Sequence, residues 1–476
     1  MTQTMLAGLD GVPAAVDDDV LGALADDLDG SVLAPGDAGY DDSARIWNGM
    51  ITGRPALVIR PRNRDDVRRA VAFARDRQLM LSIKGGGHNI AGLAIADGGI
   101  MLDMSTMKWA TVDPSAMTVR VGPGCLLGDV DTATQEHGLA TALGFVSLTG
   151  VAGLTVGGGF GYLTRRFGWT VDNLLSAEVV TAAGEVVTAS YDEHDDLYWA
   201  LRGGGGNFGV VTEFTFRLHP VGPHATGGLI AWSADDAEEV MALYRDVTAA
   251  APRELTLVST MRFAPPAPFI PEAWHGKPIV AMVACHSGSP EQAAADLAPI
   301  RGHGRPIADV IMDKTYVAQQ AMLDATQPTG MNYYWKSEYL PGLSDDLLSA
   351  YRGVAGTLPT PMSQAVLFHL AGALNERDED DGAVGNRDAA FVTAIQAMWP
   401  PGGADPEQCR QWARGAWDSL RPFGTGGNYV NFQTDDDDDA RTGSAYRGNL
   451  ARLAAVKAAY DPDNLFRVNR NIAPTG

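Results

Sequence analysis

"KGGGHNIAG", Lys84 to Gly92, follows directly on the apolar run "LMLSI", Leu79 to Ile83, and joins three glycines to one imidazole. The run before it is a predicted strand and "GIMLDMS", Gly99 to Ser105, is another, so the stretch is a loop between strands. Ahead of both, Val67, Ala70, Val71 and Ala74 recur at helical spacing, with Asn63 placed to cap and Asp66 three residues later. Glycine permits positive φ and close approach of another backbone, and clustered bare amides form a nest for phosphate oxygens. The loop is suited to a ligand that presses on the main chain beside a histidine.

Further glycine-rich stretches fall in the first half of the chain: "VGPGCLLG" from Val121, "TGVAGLTVGGGFGYL" from Thr149 and "LRGGGGNFGVV" from Leu201. Tight turns explain any one of them, whereas one large phosphorylated cofactor explains all of them together. A dinucleotide-binding GxGxxG would lie between a strand and a helix with an acidic residue about 20 residues on, and "GGGFGY" does not fit it. Nor is there a GxxxxGK[ST] phosphate loop, since Lys84 precedes its glycines.

A chain of 476 residues exceeds one ordinary core and predicts two domains. No apolar run is long enough to cross a bilayer, and a net charge of -22 weighs against nucleic acid or an anionic membrane as partner. "MTQTMLAGLDGVPAAVDDDV" has no basic region ahead of an apolar core, which sets a cytoplasmic expectation. Cys125, Cys285 and Cys409 show no CxxC spacing, so neither a disulfide framework nor a structural zinc site is expected, and redox chemistry falls to a cofactor. His286 and His369 lack partners at metal-ligand spacing, so no metal is expected. "DDDDDA", Asp435 to Ala440, reads as a solvated loop.

Alternation in "FGVVTEFTFRLHPV" ends at Pro220, which sets a boundary near residue 220. Beyond it "GGLIAWS", "LTLVSTMRF", "KPIVAMVAC", "NYYWKSEYL" and "SQAVLFHLAG" are predicted strands, with helices such as "DDAEEVMALYRDV" between them. The pattern is α+β, with strands suited to an open antiparallel sheet.

Taken in order, "KGGGHN", the run from Thr149 to Glu185, the run from Asp196 to Pro220, "NYVNF" and "YDPDNLFRVNRNI" resemble the berberine-bridge-enzyme-like FAD-linked oxidases, of the vanillyl-alcohol-oxidase (PCMH) type of flavin fold, across essentially the whole chain. The resemblance implies a two-subdomain FAD-binding domain assembled from residues 1–220 and 435–476. Residues 221–434 are then an inserted substrate domain on a helix-covered antiparallel sheet. FAD contacts are implied at Lys84, Gly85, Gly86, Gly87, His88, Asn89, Gly92, Thr149, Gly150, Gly153, Gly157, Gly158, Gly159, Asn173, Val211, Asn469 and Asn471.

It further implies that His88 carries the flavin, through a ring nitrogen bonded to the 8α methyl. Relatives with a second link place a cysteine in GxCxxxG; here "GFVSLTG", Gly144 to Gly150, has Val146, so a single attachment is expected. Thr149 falls where such enzymes gate dioxygen, and a small side chain there favours oxidase behaviour. Tyr429 and Asn431 match a Tyr-x-Asn element, with Tyr429 as candidate base and Asn431 as its support. A phenol near pKa 10 needs a cation or a hydrogen bond to its phenolate to act at neutral pH, and Lys336 is the expected source. Tyr333 and Trp335 share one face of a predicted strand and, with His369, are candidate pocket residues.

The leading expectation is an FAD-dependent oxidase that takes hydride from a hydroxyl-bearing carbon of a sugar or secondary alcohol and is reoxidised by dioxygen to give hydrogen peroxide. Amine oxidation similar to that of 6-hydroxynicotine oxidases is the alternative, and makes a tyrosine base dispensable. Oxidative cyclisation in secondary metabolism would use the same machinery. A flavin-binding carrier is the non-enzymatic alternative, against which Tyr429 and Asn431 stand. The acidic surface disfavours anionic substrates through repulsion on approach.

Overall fold

The structure, a computed structural model, describes residues 3–475. The Asn63 side chain accepts from the Asp66 amide and starts the helix Arg64–Asp76, which buries Val67, Ala70, Val71 and Ala74. These residues share a core with a four-stranded sheet ordered Ser31–Leu33, Leu57–Arg60, Ile100–Asp103, Leu81–Lys84. Its last two pairings are parallel, and the chain leaves the sheet at Lys84 straight into the glycine loop.

A five-stranded antiparallel sheet follows, ordered Val186–Ser190, Leu174–Val180, Val210–Arg217, Thr118–Val121, Ala110–Asp113. Helix Leu127–Gln135 and the late helix Leu450–Tyr460 contribute Leu127, Val130, Leu453 and Val456 to its core. The segment from 450 onward therefore packs on the first half of the chain.

The third sheet has eight strands and is antiparallel. Its main order is Ala308–Asp309, His224–Ser233, Pro278–His286, Leu255–Phe263, Gln364–His369, Phe391–Trp399, Asn332–Leu340. One face packs against the helices Ala237–Ala250, Pro290–Arg301, Asp345–Ala355 and Pro406–Leu420 through Leu257, Met282, Leu367, Ile395 and Trp399. The other face looks toward the glycine loops. Phe391–Trp399 shows no alternation in its sequence because all nine residues are buried, between helices on one side and the interior on the other.

Two buried ionic contacts join these parts. Arg387, just before Phe391–Trp399, grips Asp172 with both terminal nitrogens, at 3.0 and 2.7 Å. Lys457 is fully buried and donates to the carbonyls of Asn207 (2.7 Å) and Phe466 (3.1 Å), with Asp461 as counter-ion.

The acidic run is exposed along most of its length, as expected of a solvated loop, but two of its members turn inward to ion pairs. Asp436 and Asp437 lie 2.9 and 2.8 Å from Lys336 Nζ, Asp436 also accepts from Tyr334 Oη and Arg414, and Asp438 caps the helix Asp439–Tyr446. Lys336 is buried in the sheet, and a buried ammonium without a carboxylate costs several kcal/mol. The aspartates neutralise it.

Lys457→Met removes the cation that joins Asn207 to the Phe466 carbonyl and strands the Asp461 carboxylate. Its denaturant midpoint is expected to fall by the equivalent of about 3–5 kcal/mol, measured against Lys108→Met at a half-exposed surface pair.

Candidate active site

The glycine loops and the free face of the eight-stranded sheet enclose a cavity of about 740 Å³. Its floor is backbone. A Cβ on Gly86 would stand 2.5 Å from Gly150 Cα, and one on Gly150 would stand 2.3 Å from the Gly86 amide nitrogen, so the two loops meet main chain to main chain. Above Gly153 and Gly206, which also line the floor, the space a Cβ would take is open. Among the described residues, none accepts from the amides of Gly86, Gly87, His88 or Asn89. Four consecutive unused donors, bare glycines facing open space and the unpartnered Asn469 Oδ1 fit a phosphorylated cofactor of flavin dinucleotide size.

His88 stands at one side of this floor. Its ring lies flat on Trp47 (4.4 Å between centroids, 17° between planes), and Trp47 stacks in turn on Tyr333 (3.6 Å, 19°). Burial pulls the imidazole pKa down to about 4, so at neutral pH the ring is uncharged and keeps a lone pair.

Tyr429 closes the other side. Its oxygen accepts from the Gly159 amide (3.1 Å) and from Asn431 Nδ2 (2.9 Å), and Phe160 and Phe432 hold the ring edge to face at 4.9 Å. Burial pushes the phenol up to about 12, against the pull of those two hydrogen bonds. Lys336 does not supply the expected cation. Side chains alternate along Asn332–Leu340, so Trp335 faces the cavity while Lys336 faces the opposite side and its aspartates.

Of the expected cofactor contacts, Gly85, Gly86, Gly87, His88, Asn89, Thr149, Gly150, Gly153, Val211 and Asn469 line the cavity, and Val146 lies beside Thr149 in its wall. Others lie behind it. Lys84 Nζ donates to the Ser43 carbonyl and faces Asp103 at 3.7 Å, and Gly92 turns the chain at positive φ against Ile51. Gly157 gives room to Asn431, Gly158 turns at a φ of 114°, and Gly159 holds Tyr429, so this trio positions the Tyr-x-Asn element. Asn173 spends its amide on the Phe167 and Trp169 carbonyls and on His219, and Asn471 is exposed to solvent.

Trp335 lines the cavity; the other two candidate pocket residues do not. Tyr333 backs Trp47 and donates to the Pro328 carbonyl. His369 falls on the helix side of its strand, stacked on Phe391, because Gln364, Val366 and Phe368 take the cavity side. The sequence reading missed Trp47, Phe160, Arg262, Gln364, Gln396 and Phe432. Gly205 and Gly206 lay within a stretch already marked as glycine-rich.

The chain matches a family model described as an FAD binding domain over residues 55–190, and one described as berberine and berberine like over residues 428–473. It is 31% identical to an FAD-linked oxidoreductase of Dictyostelium discoideum, over 96% of this chain and 97% of that protein. To (R)-6-hydroxynicotine oxidase of Paenarthrobacter nicotinovorans it is 32% identical, over 94% of this chain and 98% of the relative. The crystal structure of 6-hydroxy-D-nicotine oxidase from Arthrobacter nicotinovorans superposes with a TM-score of 0.83 at 29% identity, covering 94% of this chain and 98% of the other. Acremonium strictum glucooligosaccharide oxidase reaches 0.85 at 23% identity, covering 96% and 98%, a likeness of fold. Fold and site together define an FAD-dependent oxidoreductase. The chain belongs to the berberine-bridge-enzyme-like family of FAD-linked oxidoreductases.

Gly86→Ala forces a Cβ into the Gly150 backbone. The variant is expected to fold but lose most of its flavin, read as the ratio of visible flavin absorbance to protein absorbance. Gly415→Ala, where the added Cβ meets nothing within 4 Å, should leave that ratio unchanged.

Proposed function

We propose that the protein is an oxidase that carries FAD on His88 and takes hydride from a carbon bearing an amine nitrogen in a small molecule whose body is largely apolar. The observation that carries this reading is Tyr429: the phenol over the cavity stays protonated and, among the described residues, has no cation beside it. Using it as a base at pH 7 from a pKa of about 12 costs about 7 kcal/mol. A neutral amine needs no base before hydride leaves, whereas a hydroxyl does.

The cavity wall supports the same side. Phe145, Leu229, Val258, Val283, Val366 and Phe368 make an apolar stretch above the glycine floor, with the polar side chains Thr260, Arg262, Gln364 and Gln396 gathered beside it. Such a lining suits a largely apolar body better than the evenly spread hydroxyls of a sugar chain. A relative named for oxidation of an amine-containing substrate aligns over nearly the whole chain.

The residues divide the work. The amides of residues 86–89 would hold the diphosphate of the cofactor. His88, neutral and pinned flat by Trp47, offers a nitrogen for a single covalent link, and Val146 offers no second one. When bound, FAD supplies a two-electron acceptor that dioxygen reoxidises to release hydrogen peroxide. Tyr429 has both acceptor positions occupied by Gly159 and Asn431, so its hydroxyl hydrogen is left to donate toward the cavity and orient the substrate.

The hydroxyl-bearing carbon remains the second reading, because the same two hydrogen bonds favour a phenolate. Tyr429→Phe separates the two. On an amine that releases peroxide, kcat is expected to fall no more than about fivefold, while a base role predicts a loss of about 10²–10⁴-fold. A peroxide screen of cyclic and arylalkyl amines against oligosaccharides identifies the substrate side, and turnover confined to sugars would overturn the amine reading.

Acid precipitation tests the attachment. Flavin absorbance should stay with the precipitated wild type and move to the supernatant in His88→Ala. Flavin released from both would refute the covalent link.

A further inference from the structure

In a chain of net charge -22, the lining of this cavity contains no aspartate or glutamate among the described residues, yet it includes Arg262, Lys314 and Arg470, the last of which donates to the Asp437 and Thr434 carbonyls. Arg262 is partly buried on the cavity face of Leu255–Phe263 and has no carboxylate partner. Its contacts are the Phe263 carbonyl and Gln364 Oε1, each at 3.3 Å, and burial lowers its pKa with no acid to oppose the shift. An unpaired guanidinium facing an apolar cavity is costly unless a ligand completes it.

Strand register makes Arg262 the end of a polar row. Arg262 is opposite Gln364, Gln364 opposite Gln396, and Gln396 opposite Trp335. The guanidinium can only donate, which fixes the polarity of everything beyond it. Gln364 must turn its oxygen toward Arg262 and Thr260, so its nitrogen donates to Gln396 Oε1 at 2.6 Å. Among the described residues nothing accepts from Gln396 Nε2, which is thereby left to donate into the cavity, while Trp335 Nε1 is sealed behind it without a partner. The row presents donors alone. Trp335 packs edge-on against Trp47, the residue that stacks on His88, so the row starts beside the attachment histidine and ends at Arg262 three strands away. At about 4.8 Å per strand this is about 14 Å.

We propose that the row formed by Trp335, Gln396, Gln364 and Arg262 selects a substrate bearing a carboxylate remote from the carbon that is oxidised. Arg262 takes the carboxylate, and Gln396 Nε2 meets an acceptor nearer the flavin end. The local field within the cavity thus opposes the repulsion expected from the acidic surface. The role as substrate determinant rests on the oxidase reading; the carboxylate site itself does not, and binding measured without turnover keeps the two apart.

The test uses the flavin-loaded enzyme and calorimetry with a graded series of ω-phenylalkanoates against their primary amides. At least one carboxylate is expected to bind wild type on the order of tenfold tighter than its amide, and Arg262→Met to bring the two within about twofold. Arg262→Lys, which keeps the charge without the fork, should retain an intermediate preference and covers the case in which Arg262→Met does not fold. A wild type that binds no carboxylate more tightly than its amide overturns the proposal. So does a preference that survives in the Arg262 variants and disappears in Lys314→Met. Loss of peroxide release on every amine, with the carboxylate preference intact, would sink the oxidase reading alone.

Discussion

The contact on which the rest depends is between two glycines. Gly86 and Gly150 approach so closely that neither leaves room for a single methyl group, and this brings the loop after the parallel strands against the loop after residue 144. Close packing without side chains leaves the amides of residues 86–89 bare. It also fixes His88 and Thr149 on one wall. Glycine at these positions carries an entropic cost in the unfolded chain, and what the fold gains is a surface made of donors.

Above that surface, alternation along the strands decides which residues are chemical and which are structural. Trp335 and Lys336 are neighbours in sequence and lie on opposite sides of the sheet, one against the flavin side and one locked to Asp436 and Asp437. Phe368 and His369 divide the same way. The enzyme's ionic groups are thus mostly spent on the helix side. The cavity keeps a protonated phenol, a neutral imidazole and the cations Arg262, Lys314 and Arg470, with no carboxylate among the described residues.

The glycine loops, the capped helix at Arg64–Asp76 and the strands of the third sheet with clear apolar runs were legible because each has a local cause: bare backbone, a side-chain cap, a period. The strand Phe391–Trp399 was not, since burial on both faces erases the period that would reveal it. Trp47 and Arg262 were invisible for another reason. Trp47 earns its place by stacking between His88 and Tyr333, residues far apart in the chain, and Arg262 by strand register, and neither relation leaves a local mark. The run of aspartates was legible as exposed, but its pairing with Lys336 was not, because that partner lies about a hundred residues away in sequence.

Asp172 and Arg387 join the side of the molecule that holds the glycine loops to the sheet that roofs the cavity, and both side chains are almost wholly withdrawn from water. Asp172 also has Arg202 at 3.5 Å, so separating the pair would leave the buried Arg387 guanidinium without its carboxylate, and that cost opposes the two sides swinging apart in each cycle. Traffic must pass through the fixed aperture, where the half-exposed ring of Phe269 forms part of the rim. Molecules are therefore sorted by girth and flexibility before any bond is tested, a kinetic filter placed ahead of the chemical one.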